Sequence, residues 1–154
     1  MANNPNALTL LTMKSADVRN HVHPALVCAE VVIYGFFAAL GLTPVVTSAK
    51  DGTHSKLSRH FQNPGDGRPA QAIDLRIWSI HDPASFFYRL AVALNKANEW
   101  MVRQEAIVDG EFVVLLEKDH AHIEWNPKGV APNLANYSPG RVFFLAGQSN
   151  EPKV

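Results

Sequence analysis

The 154-residue sequence predicts an α+β domain, two helices packed on a small, mainly antiparallel sheet, with one long loop between the first helix and the strands. Three observations carry that expectation. Two stretches opened by a proline, at Pro24 and Pro83, have helical length and composition. Residues 72–80 alternate with strand periodicity, and the short segments 112–116 and 120–125 also read as strands. Between the first helix and these strands, residues 48–71 carry Gly, Pro, Ser, Asp and Asn throughout and read as a loop. A loop of that length inside a compact domain is usually functional.

Residues 1–20 begin polar and Asn-rich, with an apolar patch from Leu8 to Leu11, and are expected to form a loose arm before a single domain at 21–148 and a tail at 149–154. The first helix starts at Pro24 and stops at Gly41, with Pro44 just beyond. His21 and His23 flank its start. Residues 25–42 are apolar except for Glu30, with Lys14 and Arg19 upstream, which raises a membrane span or an export signal. A central glutamate is costly in hydrocarbon, the length is at the lower edge for a span, and no small-residue cleavage site follows. A buried core helix is the expectation.

Residues 45–47 form a short strand. Asp82 and Pro83 make a good N-cap and first-turn pair for a second helix to about Met101, amphipathic through Phe86, Leu90, Leu94 and Ala97. Residues 112–116 and 120–125 are either one long strand or a hairpin. The chain from Asn126 carries Pro127, Pro132 and Pro139, with one more apolar patch at 142–145. No internal repeat occurs.

Fourteen basic and fourteen acidic residues cancel, leaving no electrostatic footprint for nucleic acid or an anionic membrane. A single cysteine, Cys28, excludes an intramolecular disulfide and reads as core filler. No G-x-S-x-G nucleophile elbow and no phosphate-binding glycine loop is present.

The chemistry concentrates in histidines. His120 and His122 lie two apart, so on a strand both imidazoles point to one face. Asp119 lies three before His122; His54 and His60 sit in the loop, and Asp74 opens the following strand. Catalytic zinc takes three N and O ligands and leaves a position open, and it lowers the pKa of a water to about 7. A neighbouring carboxylate can then take a proton. On composition alone, however, two hydrogen-bonded or solvent-facing histidines on a strand account for the pattern more simply than a metal does.

Ser58 with His60, Ala72 with Asp74, and Asp119, His120 and His122 follow one another in an order that resembles the zinc D-Ala-D-Ala carboxypeptidase family. That family includes phage endolysins that cleave L-Ala-D-Glu bonds and is similar in fold to the hedgehog signalling domain. The resemblance covers about residues 45–80 and 112–126. It implies Zn²⁺ held by His60, Asp74 and His122, with Asp119 as general base and His120 stabilising the oxyanion. It also implies hydrolysis of peptidoglycan stem peptides, at either bond, by a monomer. Such a protein of phage or prophage type stays cytoplasmic until released to the wall, or travels in a virion. Lys50, Ser58, Arg76 and Trp125 are the expected substrate contacts, Trp125 as a groove wall.

Several alternatives stay open. His54 competes with His60 as first ligand, because Asp74 lies fourteen residues after His60 where the family spacing is seven. In a regular strand Asp119 faces away from the histidines, so Glu117 is the reserve base unless the strand begins after Asp119. Lys50 stands where an arginine is usual, and Arg68 or Arg76 could serve instead. Glu124 shares the histidines' face and could orient a ligand. The rival function is a non-catalytic wall-peptide or protein-binding module of the same fold.

Overall fold

The computed structural model describes residues 6–50, 69–104 and 109–128, together with the backbone of 142–145 and 148–149. Its elements are β1 Thr12–Met13, α1 Pro24–Ala38, β2 Val45–Ser48, β3 Ala72–Arg76, α2 Pro83–Arg103, β4 Gly110–Leu116, β5 His120–Pro127, β6 Val142–Leu145 and β7 Gln148–Ser149. The strands form one mixed sheet in the order β1-β2-β3-β5-β4-β6-β7. The two outermost strands have two residues each, so five longer strands carry it. β1 and β2 run parallel, and every other neighbouring pair is antiparallel. The α+β class is as expected.

Both helices begin where the sequence places them, and for local reasons. Each has proline in its first turn, where a missing N–H costs nothing. Asp82 accepts from the Ser85 N–H at 3.2 Å. His23 caps α1, its Nδ1 accepting from the Ala25 N–H at 3.1 Å. α1 ends at Ala38, and Gly41 supplies the left-handed φ of 70° that turns the chain away. α2 runs two residues past Met101, to Arg103.

The helices bury their apolar sides against one face of the sheet. Leu26, Ile33 and Phe37 of α1 and Phe86, Phe87, Leu90 and Leu94 of α2 join Ile73, Leu75, Phe112, Val114, Ala121, Ile123 and Trp125 in one core cluster. Phe86 packs edge-on against both Phe37 and Phe87, with ring centroids 5.0 and 4.9 Å apart, fixing α1 against α2. Asn95 ties α2 to β4 by bonding both the N–H and the carbonyl of Phe112, at 2.9 and 3.0 Å. Among the described residues no helix is long and apolar enough to cross a membrane.

Two expectations change, and one open choice is settled. Residues 6–20 are packed rather than loose: Leu8, Leu11 and Val18 are buried, and Asn20 bonds both the N–H and the carbonyl of Leu8. The buried Glu30 explains why. Its Oε1 accepts from the Thr9 and Leu10 N–H groups at 2.7 and 2.8 Å, so the one charge in the apolar helix closes the arm onto α1. The strand expected over 72–80 stops at Arg76, followed by a turn in which Ser79 takes a φ of 65°. The open choice between one strand and two resolves as an antiparallel hairpin, β4 with β5, joined by residues 117–119.

Candidate metal site

Strand periodicity sorts β3 and β5 into two functions. Ile73 and Leu75, with Ala121, Ile123 and Trp125, face the helices. Asp74 and Arg76, with His120, His122, Glu124 and Asn126, occupy the opposite face. The antiparallel register sets Asp74 opposite His122 and Arg76 opposite His120. Two residues separated by 48 positions in sequence are thereby brought side by side.

Their side chains meet. His122 Nδ1 lies 3.0 Å from Asp74 Oδ1, and His122 Nε2 lies 3.0 Å from Glu124 Oε1. Asn126 Nδ2 donates to Glu124 Oε2 at 2.8 Å. Burial alone would favour the neutral His122 ring, but hydrogen bonds and charge from Asp74 and Glu124 outweigh it and push the ring up to about 9. Without a metal, His122 is an imidazolium held between two carboxylates.

His120 joins the same cluster. Its Nε2 bonds Glu117 and lies 3.8 Å from Asp74 Oδ2, while its Nδ1 bonds Asp119 Oδ1 at 2.6 Å. The Glu117 hydrogen bond, helped by Asp119 and by the charge of Asp74, overcomes burial and raises this ring to about 9 as well. His120 in turn holds Asp119 below the usual carboxylate range. Asp119 precedes the first residue of β5, so it can reach the histidine face as a base would require. It nevertheless lies on the outer nitrogen of His120 and is 85% exposed, whereas Glu117, on the inner nitrogen beside Asp74, is 15% exposed.

The remaining expected residues divide. Arg76 stands across from His120 with its guanidinium 3.9 Å over the Trp78 ring, at the rim of the cluster. Lys50 is buried just past β2, two residues beyond Ser48, the register partner of Asp74. His54, Ser58, His60 and Arg68 lie outside the described residues. Trp125 is corrected. It is 1% exposed on the helix side, stacked on His23 at 4.3 Å, because alternation turns it away from the face of His122 and Glu124. It cannot line a groove there.

Asn126 joins the site through Glu124 and is readable in the sequence as the next same-face position after it, whereas the His23–Trp125 stack on the helix side has no local signal. Among the described residues, no three His, Cys, Asp or Glu side chains are arranged to hold a metal. Asp74 and His122 are donors of the types that zinc takes, an oxygen and an imidazole nitrogen, and number two of the three protein ligands of a catalytic site. Their 3.0 Å separation is that of a hydrogen bond. No family model, curated protein or solved structure matches the chain.

Proposed function

We propose that the chain is a zinc peptidase of the D-Ala-D-Ala carboxypeptidase and L-Ala-D-Glu endopeptidase type, with a hedgehog-like fold, acting on peptidoglycan stem peptides. The observation that carries this reading is the Asp74–His122 pair, facing each other across β3 and β5 at 3.0 Å with Glu124 behind the ring. It is the pair that the order of motifs implies. His60 would complete the ligand set. When bound, zinc supplies Lewis acidity toward an amide carbonyl and makes water more acidic.

The chain's own residues supply the rest. Asp119 and Glu117 compete as base, and the position of Glu117 on the Asp74 side of His120 favours Glu117. His120, cationic over the neutral range, donates to developing negative charge. Arg76 offers a fixed guanidinium at the rim for a substrate carboxylate.

The rival reading, a wall-peptide or protein-binding module of the same fold, is favoured by one observation. Both nitrogens of His122 already have carboxylate partners, so the cluster is satisfied without an ion. Metal content separates the two when measured on the wild type, His60→Ala and His122→Ala. Near-stoichiometric zinc lost in both variants, with hydrolysis of wall fragments lost in Glu117→Ala or Asp119→Ala, supports the peptidase. Zinc kept in His60→Ala but lost in His122→Ala moves the first ligand to His54. A folded wild type that takes up no added zinc sinks the peptidase.

A further inference from the structure

We propose that Glu124 and Asn126 are positioning residues that select the nitrogen through which His122 takes its metal, making Nδ1 the donor atom. This rests on the metal reading above and assigns to residues outside the ligand set the task of orienting one ligand.

The face of β5 carries His122, Glu124 and Asn126 at successive alternate positions, so each side chain lies beside the next. They are linked in sequence order, from Asn126 Nδ2 to Glu124 Oε2 at 2.8 Å and from Glu124 Oε1 to His122 Nε2 at 3.0 Å. Both oxygens of Glu124 therefore have partners, and the carboxylate cannot turn without breaking a bond. Glu124 is 2% exposed and Asn126 3%, so water does not readily replace either link.

A neutral imidazole has one lone pair for a metal, and the hydrogen bond at the other nitrogen decides which nitrogen holds it. Both neighbours are carboxylates, which accept and cannot donate, so an ion must take the place of the proton facing one of them. Glu124, its side chain 3% exposed and tied to Asn126, keeps the proton on Nε2, whereas Asp74, its side chain 15% exposed, leaves the Nδ1 side as the one open to an ion. Nδ1 is the nitrogen 3.0 Å from Asp74 Oδ1, the co-ligand. The two nitrogens point apart across the ring, so an ion shared by Asp74 and His122 leaves Glu124 outside its shell. Glu124 is thereby an orienting group rather than a fourth ligand.

The buried Asn126 Oδ1, which has no hydrogen-bond partner, adds a chemical handle. In Glu124→Gln the new amide can accept from Nε2 with its oxygen and donate to a flipped Asn126 with its nitrogen. That variant keeps the orientation of His122 while removing the charge.

The test is zinc affinity by competition with a chromophoric chelator, together with proton spectra of the cobalt(II)-loaded protein. Glu124→Ala is expected to weaken zinc about 10- to 100-fold and Asn126→Ala about 10-fold. Glu124→Gln should stay within a few-fold of the wild type. In the cobalt protein, His122 should show a shifted, exchangeable ring N–H adjacent to Hδ2, the signature of Nδ1 ligation. Cobalt bound through Nε2 overturns the proposal, as does a folded Glu124→Ala with unchanged affinity. If Glu124→Ala does not fold, the wild-type cobalt spectrum decides alone. A wild type that binds neither ion overturns the metal reading itself, and this inference with it.

Discussion

The two faces of β3 and β5 are built from the same strands yet obey different physics. On the helix side, Ile73, Leu75, Ala121, Ile123 and Trp125 are buried apolar groups whose stabilisation scales with area removed from water. On the other side, Asp74, His120, His122, Glu124 and Asn126 place charges and amides where full or partial burial would be costly without partners. The difference teaches that burial on this second face is tolerated because the charges are paired. A buried ion cluster of this kind is weak evidence for stability and better explained by a task. Substitutions one residue apart should therefore behave in opposite ways.

The largest contrast is between His122 and Ile123. His122→Ala removes the cation between Asp74 and Glu124 and is expected to destabilise the metal-free protein by about 3–5 kcal/mol. It should also abolish zinc binding. Ile123→Ala, on the helix side, costs about 2–4 kcal/mol through the cavity it leaves, but zinc affinity should stay within twofold. Urea unfolding paired with chelator competition measures both quantities. Loss of zinc in Ile123→Ala would show that the faces are not independent.

Next in size is pH. His120 and His122 both stand near 9 in the folded chain, against about 6.5 when unfolded, so between those values the folded state binds more protons. The stability they contribute is fully present below about pH 6.5 and is lost as pH rises through about 9. The rings share Asp74, so their contributions overlap, and the total loss is on the order of 3 kcal/mol. Urea unfolding of chelator-treated protein from pH 6 to pH 10 should show this fall. His122→Ala should remove the part due to that ring and leave the part due to His120, whose main partner is Glu117, while Ile123→Ala should keep the wild-type slope. A wild-type profile that is flat from pH 6 to pH 10 would mean that neither ring is held as an imidazolium.

Most of this architecture is legible in the residues, and the failures have physical causes. Asp82 and Pro83 give the start of α2, and the alternation in residues 120–125 gives β5, because caps and period are local signals. The same alternation assigns Glu124 to the face of His122 and, applied one step further, removes Trp125 from it. The packed arm was not legible, because the Glu30 contacts that hold it span about twenty positions. Nor was the preference for Glu117 over Asp119 at the inner nitrogen of His120, which depends on where the hairpin turns. The pairing of Asp74 with His122 became visible only through motif order, since β3 and β5 are separated in the chain by the whole of α2 and β4.

The smallest effect tests whether the two faces communicate through the backbone. A Cβ added at Gly110 would lie 2.5 Å from Cε2 and Cζ2 of Trp125 and 2.7 Å from the Asn126 carbonyl oxygen. Trp125 cannot easily retreat, because the His23 ring is stacked on it at 4.3 Å. Gly110→Ala must then push β5 at Asn126, at a cost of about 1–3 kcal/mol for overpacking. The Asn126 side chain reaches the opposite face, where it holds Glu124 and through it His122. Zinc affinity in Gly110→Ala is therefore expected to fall several-fold, unlike that of Ile123→Ala. The fall should vanish in an Asn126→Ala background, where the link is already gone. A lowered stability with unchanged affinity would mean that the strain escapes through Trp125 and His23, and that only side chains, not the strand itself, connect the core to the metal side.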